Sequence, residues 1–122
     1  MPTRKARGSR TQALVATWYR CLWPAATTQG AGTAGRDVLN VPVSIEVKGR
    51  RAFNPLAWIR QARGSARPED DELPPHVVMR PDGVGEQSVG DFIVLRRLAD
   101  DTAILAELLD LRDRARREGE HA

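Results

Sequence analysis

Residues 43–48 alternate apolar and polar side chains, and this alternation constrains the fold more than any other segment. Because successive side chains of a β-strand point to opposite faces, Val43, Ile45 and Val47 share one face. Glu46 and Lys48 then lie side by side on the other face, next to Ser44. The pattern predicts a strand with one apolar and one polar face.

The sequence patterns on either side of this strand predict further helices and strands, in the order of a mixed α/β domain. Helices are indicated by apolar positions at helical spacing and by the Asn54-Pro55 entry signal, and strands by β-type runs bounded by turn residues. The predicted elements are a helix at 10–22, strands near 25–29, at 36–41 and at 43–48, a helix at 55–63, strands at 76–80 and 91–97 joined by a turn at Asp82-Gly83, and a helix at 101–117. We expect one compact α/β domain over residues 9–117, a basic flexible arm at 1–8, an exposed loop at 64–75 and a disordered tail at 118–122.

Composition excludes several classes of protein. A single cysteine and two histidines provide no set of zinc ligands and no internal disulfide. No apolar run is long enough to cross a bilayer, and no signal sequence is recognisable, so we expect no membrane partner and a cytoplasmic location in a bacterium or a phage-infected host.

Charge is distributed unevenly along the chain. Residues 1–67 contain 12 basic residues and two acids, whereas residues 68–122 contain seven basic residues and 14 acids. A basic first half indicates an anionic partner such as DNA. Only two of the 19 basic residues are lysines, Lys5 and Lys48, and the others are arginines. The use of lysine at position 48 therefore requires an explanation of its own.

A glycine-rich segment at 30–35 matches the pattern G-x-G-x-x-G. In a dinucleotide fold this pattern lies between a strand and a helix, so that the helix N-terminus faces the pyrophosphate. Here a strand-like segment follows it and no helix begins there. We therefore expect no nucleotide cofactor, and a loop that allows close approach of another chain.

Three side chains form the most informative set: Asp37, Glu46 and Lys48. Asp37 and Glu46 are the only acids among the first 67 residues. A turn near residues 40–42 would return the chain and bring Asp37 beside Glu46. Two carboxylates suit Mg²⁺, which activates water near neutral pH, and a nearby ammonium suits a phosphate that gains charge in the transition state.

The sequence around these residues resembles the PD-(D/E)xK nuclease superfamily, through G-R-D-V at 35–38 and I-E-V-K at 45–48. Its size is similar to that of archaeal-type Holliday junction resolvases and small phage endonucleases. The resemblance implies a restriction-endonuclease-like αβββαβ core with a mixed central sheet flanked by helices, followed here by an extra C-terminal helix. It also implies that Asp37, Glu46 and the Val47 carbonyl hold Mg²⁺, for which Mn²⁺ can substitute, that Lys48 is the catalytic lysine, and that Gln61 contributes to the site.

By the same resemblance, the protein would be a metal-dependent DNA endonuclease that resolves branched DNA in recombination or repair. It would act as a homodimer, because symmetric junctions need two cuts. One feature departs from the resolvase pattern: no acid precedes Asp37, and Gln12 stands where the first helix usually supplies a glutamate. The residues expected to contact DNA are Arg4, Lys5, Arg7, Arg10, Gln12, Arg36, Arg50, Arg51, Arg60 and Arg63.

Plainer interpretations remain open. Glu46 and Lys48 would form a weak surface pair if their strand face were solvated. A second hypothesis, which the missing acid on the first helix permits, is a non-catalytic nucleic-acid-binding or adaptor module on the same fold, and a third is an interaction subunit using the acidic second half. The arginines have the same alternative as solvated charges. Trp58 and Cys21 are most simply buried, and His76 is most simply structural.

Overall fold

The computed structural model describes residues 4–29, 35–49 and 52–121. Its elements, in chain order, are helix α1 at Arg4–Tyr19, strand β1 at Ile45–Gly49, helix α2 at Pro55–Gly64, strand β2 at His76–Arg80, a short 3₁₀ segment at Glu86–Asp91, strand β3 at Ile93–Leu95 and helix α3 at Leu98–His121. Among these residues, no helix combines the length and apolarity required to cross a bilayer.

The three strands form one mixed sheet in the order β1-β2-β3. β1 and β2 are parallel, with Ile45 opposite His76, and α2 is the crossover between them. β3 pairs with β2 in the antiparallel direction, with Val94 opposite Val78. The protein is therefore a small α/β domain with a mixed sheet.

Two apolar layers cover the sheet. One contains Val15 of α1, Ile45 and Val47 of β1 and Val78 of β2, together with residues of the segment before β1. The other is formed by α2 and the opposite face of β2. α2 begins as its sequence predicts, with Asn54 accepting a hydrogen bond from the Ala57 amide and with proline in the first turn.

The strands predicted near 25–29 and at 36–41 do not form. The described residues of these segments share only an isolated antiparallel bridge between Thr27 and Leu39. Positive φ angles at Gly35 and Asn40 interrupt the extended backbone on both sides of Leu39, and Pro42 has no amide hydrogen to donate. Only one of the three strands expected before α2 is therefore present.

Several predicted boundaries also differ. α1 covers residues 4–19 rather than 10–22, so residues 4–8 of the predicted arm are helical and the chain turns at Arg20. Cys21 is consequently exposed and not buried, since the turn removes it from the apolar stripe of the helix. At the other end, α3 begins at Leu98 and includes residues 118–121 of the predicted tail.

Candidate functional site at the carboxyl ends of the parallel strands

An open cavity of about 820 Å³ lies where the two parallel strands end. Its wall includes Gln12 of α1, Val47 and Lys48 of β1, Trp58 of α2 and Arg80 at the end of β2. Ligands of α/β sheets commonly bind outside the carboxyl ends of the strands, because loops and helix ends converge there. This cavity therefore has the position expected of a binding site.

Asp37 is fixed beside the cavity by two hydrogen bonds. The Val47 amide donates to Asp37 Oδ2 at 2.7 Å, and Gln12 Nε2 donates to Asp37 Oδ1 at 3.2 Å. β1 is an edge strand, so its outward amides have no strand partner in the described sheet. The Asp37 carboxylate accepts the hydrogen bond that a neighbouring strand would otherwise accept from Val47. This bond explains how Asp37 is held in position although its segment is irregular.

Glu46 and Lys48 point to the face of β1 that α2 covers. Ser44, on the same face, donates through Oγ to the carbonyl of Ala62 in α2 at 2.6 Å. Glu46 is only 4% exposed, and its Oε1 lies 3.4 Å from Lys48 Nζ. The polar face of this strand is thus buried against a helix, which removes the interpretation of Glu46 as part of a solvated surface pair.

Burial of the Glu46 carboxyl group raises its pKa to about 7, and the charge and hydrogen bonding of Asp37 act in the same direction. The charge of Lys48 and its hydrogen bond oppose this rise. Asp37 and Glu46 are therefore close enough to interact directly, beside one lysine. A carboxyl group whose pKa is raised in this way is also one whose charged form a divalent cation would stabilise.

The donor atoms fit Mg²⁺. Besides the two carboxylates, the Val47 carbonyl points to the same strand edge as its amide, and therefore toward Asp37. Gln12 Oε1 is buried without a hydrogen-bond partner in the described structure, so a hard oxygen is left without a ligand beside the acids. Within residues 4–29, 35–49 and 52–121, no group of three or more His, Cys, Asp or Glu side chains that could hold a metal ion is assembled, so Asp37 and Glu46 are the two acids that the described residues offer here.

Other predicted site residues lie outside this cavity wall. Gln61, Arg60 and Arg63 are exposed on α2, and Gln61 follows the wall residue Trp58 by three positions. Arg10 is exposed on α1 and forms an ion pair with Glu86. The structure brings Gln12, Asp37, Glu46 and Lys48 together, whereas Gln61 is exposed and is not part of the cavity wall.

The prediction that Arg36 contacts DNA is wrong, because its side chain is buried and paired within the protein. Arg36 is 7% exposed, and its guanidinium donates to both Asp71 carboxylate oxygens, at 2.8 and 2.5 Å, and to the Ser65 carbonyl at 3.0 Å. The acidic loop at 64–75 is therefore anchored by hydrogen bonds to Arg36, the residue before Asp37. The position of Arg36 in the fold is structural, because a buried arginine needs such a partner.

Some predicted site residues lie outside the part of the chain that the structure describes. Arg50, Arg51 and residues 30–34 of the glycine-rich segment lie outside the described residues. Arg4, Lys5 and Arg7 belong to α1, and their side chains also lie outside the description. Their predicted contacts with DNA stay predictions.

Sequence reasoning did not identify Arg80. Its guanidinium donates to the Val84 carbonyl at 2.9 Å and to Thr11 Oγ1 at 3.2 Å, and it stacks over Phe92. These contacts hold a second positive charge in the cavity wall with Lys48. Its position at the last residue of a strand gave a signal, but only the parallel pairing of β1 with β2 shows that the two strand ends meet.

The remaining interpretations concern aromatic and histidine side chains. Trp58 is buried, and Phe53 packs edge-on against it with ring centroids 5.6 Å apart. His76 is buried, and its Nε2 is 2.8 Å from the Tyr19 hydroxyl. Burial, followed by the charge of Arg96, lowers the pKa of His76 to about 4, so it is a neutral structural group at pH 7.

Comparisons of the chain with protein-family models, with curated proteins and with solved structures find no match.

Proposed function

We propose that this protein is a metal-dependent DNA endonuclease that hydrolyses phosphodiester bonds. The observation that carries the proposal is the convergence of Asp37, which the Val47 amide holds against strand β1, with Glu46 and Lys48 of the same strand, next to the open cavity. A solvated surface pair would show neither this burial nor this convergence.

Asp37, Glu46 and the Val47 carbonyl are the groups that would hold Mg²⁺ or Mn²⁺. When bound, such an ion offsets phosphate charge and activates water near neutral pH. The Lys48 ammonium lies in the cavity wall and is partly exposed, so it can donate a hydrogen bond to a phosphate oxygen as negative charge grows there. Gln12 orients Asp37 through its amide, and its buried side-chain oxygen, which has no hydrogen-bond partner among the described residues, would be available to one further ligand or water.

The charges around this site suit DNA. Lys48 and Arg80 place two cations in the wall of an open cavity, and the first 67 residues carry most of the positive charge of the chain. Contacts of this kind bind the phosphate backbone without reading its sequence. A preference for branched DNA such as a Holliday junction is part of the proposal and rests on the resemblance to resolvases.

A cleavage panel tests the activity. The full chain is incubated with linear duplex, single-stranded, flap and four-way junction DNA, with Mg²⁺ or with EDTA. We expect cleavage of at least one form, only with the metal, and loss of that cleavage in Asp37→Asn. Cleavage that persists in EDTA, or in the Asp37 variant, would contradict the assigned site.

Thermal unfolding with divalent cations tests the metal site without relying on activity. At pH 8, Mg²⁺ or Mn²⁺ at about 100 times its dissociation constant should add about 2.7 kcal/mol of stability, seen as a rise of several degrees in Tm. Asp37→Asn should abolish the rise, whereas Asp110→Asn, which removes an exposed acid of α3, should keep it. An equal rise in all three proteins would show that the ion binds elsewhere.

A second candidate function is a DNA-binding module without catalysis. The observation in its favour is that the described site has two acids, with the neutral Gln12 where resolvases carry a third. This candidate predicts DNA binding that falls steeply with salt, no cleavage of any form, and no effect of Mg²⁺ on Tm.

A further inference from the structure

Helix α3 is a 24-residue helix that makes no extensive contact with any other described element. Its leucines are exposed, in fractions from 48% to 81%: Leu98, Leu105, Leu108, Leu109 and Leu111. Since most helical stability in proteins comes from packing an apolar face, an exposed apolar face of this length indicates a missing partner.

The leucines form one continuous face. Leu105, Leu108 and Leu109 are spaced by three and four residues, which places them on the same side of a helix. Asp101 lies one turn before Leu105 on this face, and Arg116 lies two turns after Leu109. The apolar centre is therefore flanked by an acid at one end and a base at the other.

Charge identifies the partner. The first half of α3, residues 98–110, contains four acids and no basic residue, whereas residues 111–121 contain four arginines and three acids. A second copy of the helix in antiparallel orientation would place each acidic half against the half that carries the four arginines. A parallel copy would place acid against acid, which is unfavourable.

We propose that two copies of this chain associate through their α3 helices, packed antiparallel around a two-fold axis between Leu108 and Leu109. Asp101 and Arg116 are equidistant from that point, so each Asp101 faces Arg116 of the other copy, twice in the dimer. Within one chain, Asp101 and Arg116 pair with Arg96 and Asp113 in partly or largely exposed contacts, which are worth little and are easily exchanged. This inference does not depend on the nuclease proposal.

Sedimentation equilibrium of the full chain tests the interface. We expect twice the chain mass of 13.5 kDa at micromolar concentration, and a monomer for the double variant Leu105→Glu/Leu108→Glu. Ala103→Glu, on the opposite side of the helix, is the matched control and should remain dimeric. A monomeric native chain, or a dimeric leucine variant, would overturn the proposal.

Charge reversal tests the orientation and does not depend on the leucine variant keeping its helix. Asp101→Arg and Arg116→Asp should each weaken the homodimer about tenfold, because each places like charges opposite one another. An equimolar mixture of the two should associate more tightly than either alone, since opposite charges then meet at both ends. Failure of the mixture to recover affinity would overturn the antiparallel arrangement.

Discussion

Lys48→Met is expected to slow DNA cleavage by about 10² to 10⁴ fold while leaving DNA affinity within a few fold of the native protein. Methionine keeps the length and apolar stem of lysine but cannot donate a hydrogen bond or carry charge. The loss should therefore fall on the chemical step, where charge grows on the phosphate, rather than on binding, which many cations of the basic half share. Single-turnover cleavage and a binding isotherm, both at one salt concentration, measure the two effects separately.

The control for this variant is Arg114→Met, which removes a cation of similar size from the exposed face of α3. It should cleave at the native rate. Parallel losses of binding and cleavage in Lys48→Met would mean that Lys48 contributes only to affinity. Unchanged cleavage would remove Lys48 from the site, whatever the behaviour of Asp37.

Local signals predicted part of the fold well. β2 has the predicted bounds 76–80, and α2 differs from its prediction by one residue. Both segments carry strong local information: a dense β-type run in the first case, and the Asn54-Pro55 cap in the second. The segment at 36–41 has similar β propensity but does not form a strand, because strand formation needs a partner with matching hydrogen bonds and the backbone turns at Gly35 and Asn40.

The residues of the candidate site could be named from the sequence, but the contacts that bring them together could not. The alternation at 43–48 correctly placed Glu46 and Lys48 together, and the scarcity of acids singled out Asp37. The expected hairpin was not what joined them: Asp37 is held by the Val47 amide and by Gln12, through side-chain contacts that no periodicity encodes. For the same reason, composition indicated DNA contact for Arg36, whereas its partner Asp71 lies 35 residues away in sequence.

Two buried groups should give the stability of the metal-free protein opposite dependences on pH. The pKa of Glu46 is raised from 4.5 to about 7 in the fold, so the folded state binds more protons than the unfolded state between these values, and stability falls as pH rises. The pKa of His76 is lowered from 6.5 to about 4, so stability rises with pH across that window. Each contribution is on the order of 3 kcal/mol at full shift, and between pH 4.5 and 6.5 they largely cancel.

Single substitutions should reveal separately the pH dependence of stability that each of the two groups causes. We expect the unfolding free energy of Glu46→Gln to increase from pH 4.5 to 6.5 by about 2 kcal/mol relative to the native protein, and that of His76→Gln to decrease by a similar amount. Urea unfolding in EDTA at three pH values measures both, and Glu107→Gln, at an exposed position of α3, should follow the native protein. If Glu46→Gln kept the native pH dependence, the pKa of Glu46 would not be raised in the fold, and the close acid pair on which the proposed site depends would be wrong. If the slope changes as expected, the raised pKa of Glu46 explains why a divalent cation should stabilise the protein most above pH 7, where the buried Glu46 carboxyl group is charged beside Asp37.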